Sequence, residues 1–368
     1  MRRNDFRLFA RALLLGAGLA LAAARACAAG RIPVKVIVLC GFEVGADTGD
    51  APGEFQSWYE RERLFDRVDV PGASHPLCRN ADGLYGDVGS TTLDPQINPA
   101  AESELVMAIC LDPRFDLRKT YWLINGIAGI DPASGPIGSA VWSENVVDGD
   151  ALREIDEAEI PRDWPYGLFA IGTDRPNELP FINPHPGGWN GAKLLYSMAY
   201  PLNPRLARWA YALTKDVALP DSASLKAWRE RYAGYPRAQL PPRVMMGDTL
   251  GSVRYWHGEK RTQWARDWVR LWTQGKGVFS TTSMEQQEYV GTLLRMASRG
   301  FVDRNRVLVL RTASNYSMPP PGKGAEVTIG DETMATAEAL EAAYRTGAPV
   351  VHELLRNWAR YADAPPGG

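Results

Sequence analysis

The chain has 368 residues, with 41 Lys plus Arg against 43 Asp plus Glu and a formal charge of −2. Hydrophobic residues at 45% and charged residues at 23% match a globular protein and exclude a disordered, collagenous or coiled-coil chain. The near-neutral balance offers no basic face for nucleic acid, and 4 Cys are too few for a disulfide scaffold.

The first element reads as a leader. Arg2, Arg3, Arg7 and Arg11 precede an apolar run from Ala12 to Ala24, shorter than the about 20 residues of a membrane span. Ala26-Cys27-Ala28 then has the small-x-small pattern of a signal peptidase site. Residues 1–28 are therefore expected to be a secretory signal, and the remainder a periplasmic or secreted protein. Cleavage removes five Arg and one Asp and leaves a charge of −6. It also leaves Cys40, Cys78 and Cys110, an odd number that allows one bridge without naming the pair. No later run approaches a membrane span.

Val34–Phe42 is a continuous apolar run rich in β-branched residues, expected as a strand buried on both faces. Ala100–Cys110 has helical spacing. Thr120–Ile124 predicts a second buried strand closed by Asn125-Gly126, and Gly138–Val147 a third. The Pro-, Gly- and Asn-rich stretch from Asp148 to Pro201 is expected as a long loop or insertion over the core. Helices follow at Pro204–Val217, Gln263–Trp272 and Met284–Arg299, and strands at Val244–Met246, Val278–Thr281 and Arg306–Arg311. Trp264, Trp268 and Trp272 lie four apart, the spacing of core packing. Thr333–Tyr361 is expected as two helices broken at Gly347-Ala348-Pro349. Strands alternating with helices predict an α/β fold with a mostly parallel sheet, and residues 29–368 are taken as one domain.

Several chemistries find no motif. His352-Glu353 opens like a zinc-protease helix, but Arg356 stands where the second His would be. The four His and the Cys have no metal-ligand spacing, so no metal is expected, and no nucleotide cofactor loop or serine elbow is present. His257 in the RYWHG loop is a candidate lid residue, although a surface histidine explains it as well. What remains lies at strand ends, where open α/β sheets bind ligands. These places are Glu43, Asn125–Gly129, Gly247-Asp248, Met284-Glu285 and Ser314-Asn315. Carboxylates there can hold sugar hydroxyls or a water, and an amide can pair with a purine edge.

Longer segments carry a family resemblance. Leu111–Pro132 (LDPRFDLRKTYWLINGIAGIDP), Trp142–Asp150 (WSENVVDGD), Gly247–Gly258 (GDTLGSVRYWHG), Thr281–Gln286 (TTSMEQ) and Leu308–Gly322 (LVLRTASNYSMPPPG) are among them. Through these the chain resembles the bacterial branch of the purine nucleoside permease family, from about Lys35 to Tyr361. The resemblance implies a nucleoside phosphorylase-like fold: a central mixed, partly barrel-like sheet flanked by helices. It implies that Met284 and Glu285 hold a ribose, and that Asn125, Gly126, Ala128 and Gly129 line sugar and base. It also implies that Asp248 precedes a base-contacting loop with Leu250 on its wall, that Ser314 and Asn315 face the purine, and that Glu43 positions a water.

Two departures from the phosphorylase pattern bear on chemistry. Asn315 stands where many relatives carry an Asp that protonates the leaving purine, and an amide cannot give up a proton. Thr92–Asn98 (TLDPQIN) replaces a Gly-x-Gly loop, and no Arg occupies Asn125–Gly129 to hold a phosphate co-substrate. The readings are therefore an enzyme cleaving the N-glycosidic bond by phosphorolysis or hydrolysis, with Glu43, Glu285 and Asn315 catalytic, a nucleoside-binding protein that assists transport, and a storage or structural protein keeping the fold. The expected partner is a purine nucleoside, with a homo-oligomer open, and with neither nucleic acid nor a membrane span.

Overall fold

In the computed structural model the described residues are 31–92, 98, 100–182, 193–329 and 335–367. The expected signal at 1–28 and most of the Thr92–Asn98 loop lie outside them. The frame is one mixed sheet, of 12 strands among the described residues. Its principal strands are β1 (Val36–Glu43), β2 (Leu84–Thr91), β3 (Tyr121–Ile130), β4 (Ala140–Trp142), β5 (Asn145–Asp148), β6 (Val244–Met246), β7 (Asp248–Gly251), β8 (Phe279–Ser283) and β9 (Val307–Tyr316). The principal helices are α1 (Gln56–Arg61), α2 (Ala101–Leu111), α3 (Pro204–Thr214), α4 (Ala223–Glu230), α5 (Glu259–Trp272), α6 (Gln286–Ser298) and α7 (Thr336–Arg356).

The sheet branches at β3. β1 runs parallel to its first half, β9 parallel along its length, and β8 antiparallel at its far end. This branching gives the sheet its partly closed, mixed character. Strands on both sides of the 148–201 stretch belong to the same sheet.

Alternation along the central strands explains the layers. Ile37 and Leu39, Trp122 and Ile124, and Val307 and Val309 pack on one face with α2 and α6. Val36 and Val38, Tyr121 and Leu123, and Leu308 and Leu310 pack on the other face with α1, α3 and α7. Because side chains alternate with period two, apolar residues at every position bury both faces. A further core forms where Trp264, Trp268 and Trp272 of α5, the first pair tilted and the second edge to face, pack with Leu168 and Ala170 of the 148–201 stretch. The Trp row is thus core packing, as its spacing predicts. Cys40, Cys78 and Cys110 are buried and free. No helix among the described residues is long and apolar enough to cross a membrane.

Several element boundaries differ from expectation. Gly138–Val147 is two strands, β4 and β5, with different neighbours. Asn125-Gly126 does not close β3, which continues to Ile130 because β9 pairs with it throughout. Ser314-Asn315 likewise lies within β9 rather than in a turn. Gly247 separates two short strands, so Asp248 begins β7. α7 passes unbroken through Pro349; its buried face, including Val350, Val351 and Leu354, packs on the sheet and outweighs the roughly 3 kcal/mol a proline costs a helix. The 148–201 stretch contains two small antiparallel ribbons, Leu152–Glu154 with Leu168–Ala170 and Phe181–Ile182 with Lys193–Leu194.

Candidate functional site

The centre of the molecule holds a buried cluster of charge. Register places Arg311 of β9 beside Gly126 of β3. Lacking a side chain, Gly126 leaves room that a Cβ would take from both Glu54 carboxylate oxygens and from Arg311 Nη1. Gly41 on β1 does the same for Glu285, whose Cδ would stand 2.8 Å from a Cβ there. Two glycines on neighbouring strands therefore form the floor on which two carboxylates and one guanidinium meet.

Each charge has a defined support. Glu54 comes from the loop after β1, and its carboxylate accepts from Gly41 N and Ile127 N at 2.6 Å each. Glu285 stands in the turn between antiparallel β8 and α6, which returns it to the level of Gly126. It accepts from Ser283 Oγ at 3.2 Å and pairs through Oε1 with Arg311 Nη1. Arg311 is fully buried, and its Nε and Nη2 have no partner among the described residues. Buried donors without partners are uncommon, and these two open a place for a polar guest.

Electrostatics sets the protonation of the cluster. Burial, and then the Glu285 charge, push the Glu54 carboxyl up to about 8, against the pull of Arg311 and the two backbone N–H groups. Glu102, at the start of α2, is pushed up to about 8 by burial and then by Glu285. Near it, the Tyr289 hydroxyl donates to Cys40 O at 2.6 Å.

A second set of groups lies one step along the strands. Leu250, Thr282, Gly129 and Asn315 form a register row across β7, β8, β3 and β9. A Cβ on Gly129 would meet Asn315 Nδ2 at 3.3 Å and Thr282 Cγ2 at 3.3 Å. Ser314 is an extra residue opposite Ala128 and Gly129, a bulge that re-aims Asn315. Its one hydroxyl proton can go to Ala128 O at 3.2 Å or to Asn315 Oδ1 at 3.0 Å.

The sequence-selected residues divide accordingly. Glu285, Gly126, Ala128, Gly129, Ser314 and Asn315 come together along β3 and β9, and Leu250 joins the row while packing on Trp264. Met284 is exposed beside Glu285. Three residues are occupied elsewhere. Asn125 spends its amide on Trp58 Nε1 at 3.1 Å and on Ala343 O at 3.3 Å, tying α1 and α7 to β3. Asp248 accepts from Asn145 N at 2.8 Å and Val278 N at 2.9 Å, at the starting ends of β7 and β8. The Glu43 carboxylate accepts from four backbone N–H groups, those of Val44, Gly53, Phe55 and Gln56. Glu43 thus closes the loop that delivers Glu54. His257 is half-buried and lies 2.7 Å from Thr328 Oγ1.

Sequence reasoning missed Glu54, Arg311 and Glu102. Arg311 had a legible signal, a lone cation inside the strand VLVLRTASNY. Glu54 had none, because its place is set by the loop that Glu43 folds back.

Comparison with known proteins agrees with this architecture. The family model described as purine nucleoside permease (NUP) matches residues 33–366. A purine nucleoside permease of Candida albicans is 28% identical over 311 residues, covering 83% of this chain and 73% of that protein. Among solved structures, the futalosine hydrolase of Helicobacter pylori superposes with a TM-score of 0.50 at 12% identity, covering 87% of this chain and 99% of the other. The chain has the nucleoside phosphorylase-like fold.

Proposed function

This chain belongs to the purine nucleoside permease family, and we propose that it is an exported enzyme that binds a purine nucleoside and hydrolyses its N-glycosidic bond. The observation that carries this reading is the meeting of Glu54, Glu285 and Arg311 on the Gly41–Gly126 floor, with Asn315 one bulge beyond. In it, Glu285 orients the ribose hydroxyls and Asn315 faces the purine. Glu54, on the ribose side, takes the proton of a water as that water attacks C1′. The C1′–N9 bond breaks and its electron pair leaves with the base. The Asn315 amide donates a hydrogen bond to the departing purine and stabilises its charge, while solvent supplies the proton that completes the free base. Glu54 then returns its proton to solvent, so nucleoside and water give base and ribose. A base with its pKa raised to about 8 is a stronger proton acceptor than an ordinary carboxylate.

Residues 29–368 act as one domain in this reading, and the leader at 1–28 directs it to the periplasm or outside. The name permease then denotes a role in nucleoside uptake rather than a pore. A second reading, binding without turnover, is favoured by Asn315 itself, which has no proton to give. The purified chain incubated with inosine, adenosine and guanosine separates the two. Release of free base that Glu285→Ala abolishes supports hydrolysis, whereas calorimetric binding with no base released supports a carrier.

A further inference from the structure

We propose that Asp47, His75 and Cys78 form a zinc-type metal site that fastens the β1–α1 loop to the edge of the sheet. Asp47 lies in that loop, His75 just before the short strand Leu77–Arg79, and Cys78 within it, beside β2. One ligand atom of each lies within 4.8 Å of the other two. Tetrahedral zinc, with bonds of about 2.0–2.3 Å, sets its ligand atoms about 3.3–3.8 Å apart, so an inward shift of about 1 Å brings the three onto one ion, with a water as the fourth ligand. His75 Nε2 already stands 3.0 Å from Asp47 Oδ1.

The surroundings have the form of a second shell. His75 Nδ1 is 2.7 Å from Asp87 Oδ1, which fixes the tautomer that leaves Nε2 free to ligate. Asp87 is wholly buried, and its Oδ2 has no partner among the described residues. Arg67 holds Asp47 Oδ2 and so turns Oδ1 toward His75. Phe55 stands edge-on to the His75 ring at 5.8 Å.

An imidazole, thiolate and carboxylate set selects zinc or cobalt over magnesium or calcium. His75 and Cys78 stand three apart in one segment, and Asp47 joins them from a remote loop that spacing cannot reveal. Asp47 lies between Glu43 and Glu54, so the ion would anchor the loop that carries Glu54 to the cluster.

The test titrates Co²⁺ alone into the full chain after chelator treatment and dialysis. One equivalent should produce a thiolate-to-cobalt charge-transfer band that Zn²⁺ bleaches. Cys78→Ser should abolish the band and Cys110→Ser should keep it, both judged folded by circular dichroism. Asp87→Asn should retain the band but weaken Co²⁺ binding about 10- to 100-fold. If Cys78→Ser does not fold, loss of cobalt affinity in Asp87→Asn decides the matter. No band in the wild type, a band surviving Cys78→Ser, or unchanged affinity in Asp87→Asn overturns the site.

Discussion

Arg311→Met isolates the cation on which the central cluster depends. The residue is fully buried, pairs with Glu285 and opposes the rise of the Glu54 pKa. Methionine is apolar and flexible enough to occupy the space, so the change is chiefly one of charge. Breaking a buried pair by removing one partner costs about 3–5 kcal/mol, a large part of the roughly 5–15 kcal/mol that holds a domain together. Glu285→Gln added to Arg311→Met takes away the stranded carboxylate and should recover part of that loss, with a coupling energy of about 1–3 kcal/mol. Removing the cation also raises the Glu54 pKa beyond about 8, which shrinks its ionised fraction at neutral pH. Urea unfolding of the wild type, the two single variants and the double variant measures the coupling, and base release by the same proteins measures the second effect. A loss below about 1 kcal/mol in Arg311→Met with additive single effects would refute the reasoning, since the guanidinium would then not be holding the carboxylates.

Asn315→Asp restores an acid facing the purine, and base release should rise about a hundredfold at pH below neutrality, the lower end of the roughly 10²–10⁴ that a positioned acid supplies. Unchanged turnover would mean that Asn315 does not face the leaving base. Glu43→Gln strands at least one of the four backbone donors that its carboxylate serves and should lower stability by about 1–3 kcal/mol, raising KM more than it lowers kcat. A pure loss of kcat at unchanged stability would instead make Glu43 part of the chemistry. The folded-state pKa of Glu54 lies above its ordinary 4.5, so its contribution to stability is complete below 4.5 and is lost as pH rises through about 8. Glu102 acts in the same direction. Denaturant midpoints should therefore fall between pH 5 and 8, and Glu54→Gln should flatten that slope; an equal slope in the variant would place the raised pKa elsewhere. If Glu54 is the base, kcat/KM rises with pH toward a plateau above about 8, and a falling limb there would make it an acid.

The fold was legible where burial is two-sided. Val36–Cys40, Tyr121–Ile124 and Val307–Leu310 announce themselves as strands because every position is apolar, and helices with a clear stripe, such as α5, are equally plain. Boundaries failed where a neighbouring strand overrode local turn chemistry. Asn125-Gly126 would end an isolated strand, but β9 pairs through it and uses the missing side chain to admit Glu54 and Arg311. Pro349 failed in the same way, with the buried face of α7 outweighing a local break. In the site, strand-end residues of β8 and β9 could be found from position and resemblance. Glu54 could not, because its place is set by the loop that Glu43 folds back, and four backbone hydrogen bonds to one carboxylate leave no periodic mark.

The same accounting of charge bears on which nucleophile the cluster admits. A phosphate dianion needs convergent cations or a nest of backbone N–H groups. Here the N–H groups of Gly41 and Ile127 already serve Glu54, and those of Val44, Gly53, Phe55 and Gln56 serve Glu43. Among the described residues the cluster's one cation, Arg311, pairs with Glu285 and keeps two donors free. Burial and the Glu285 charge already make Glu54 and Glu102 costly to ionise without a guest. A dianion entering this space would meet carboxylates before it met a second cation. A neutral water meets no such barrier, and a carboxylate with a raised pKa is the group best suited to take its proton. Added phosphate should therefore leave base release unchanged, and a rate that rises in proportion to phosphate would show that the free donors of Arg311 hold the anion after all.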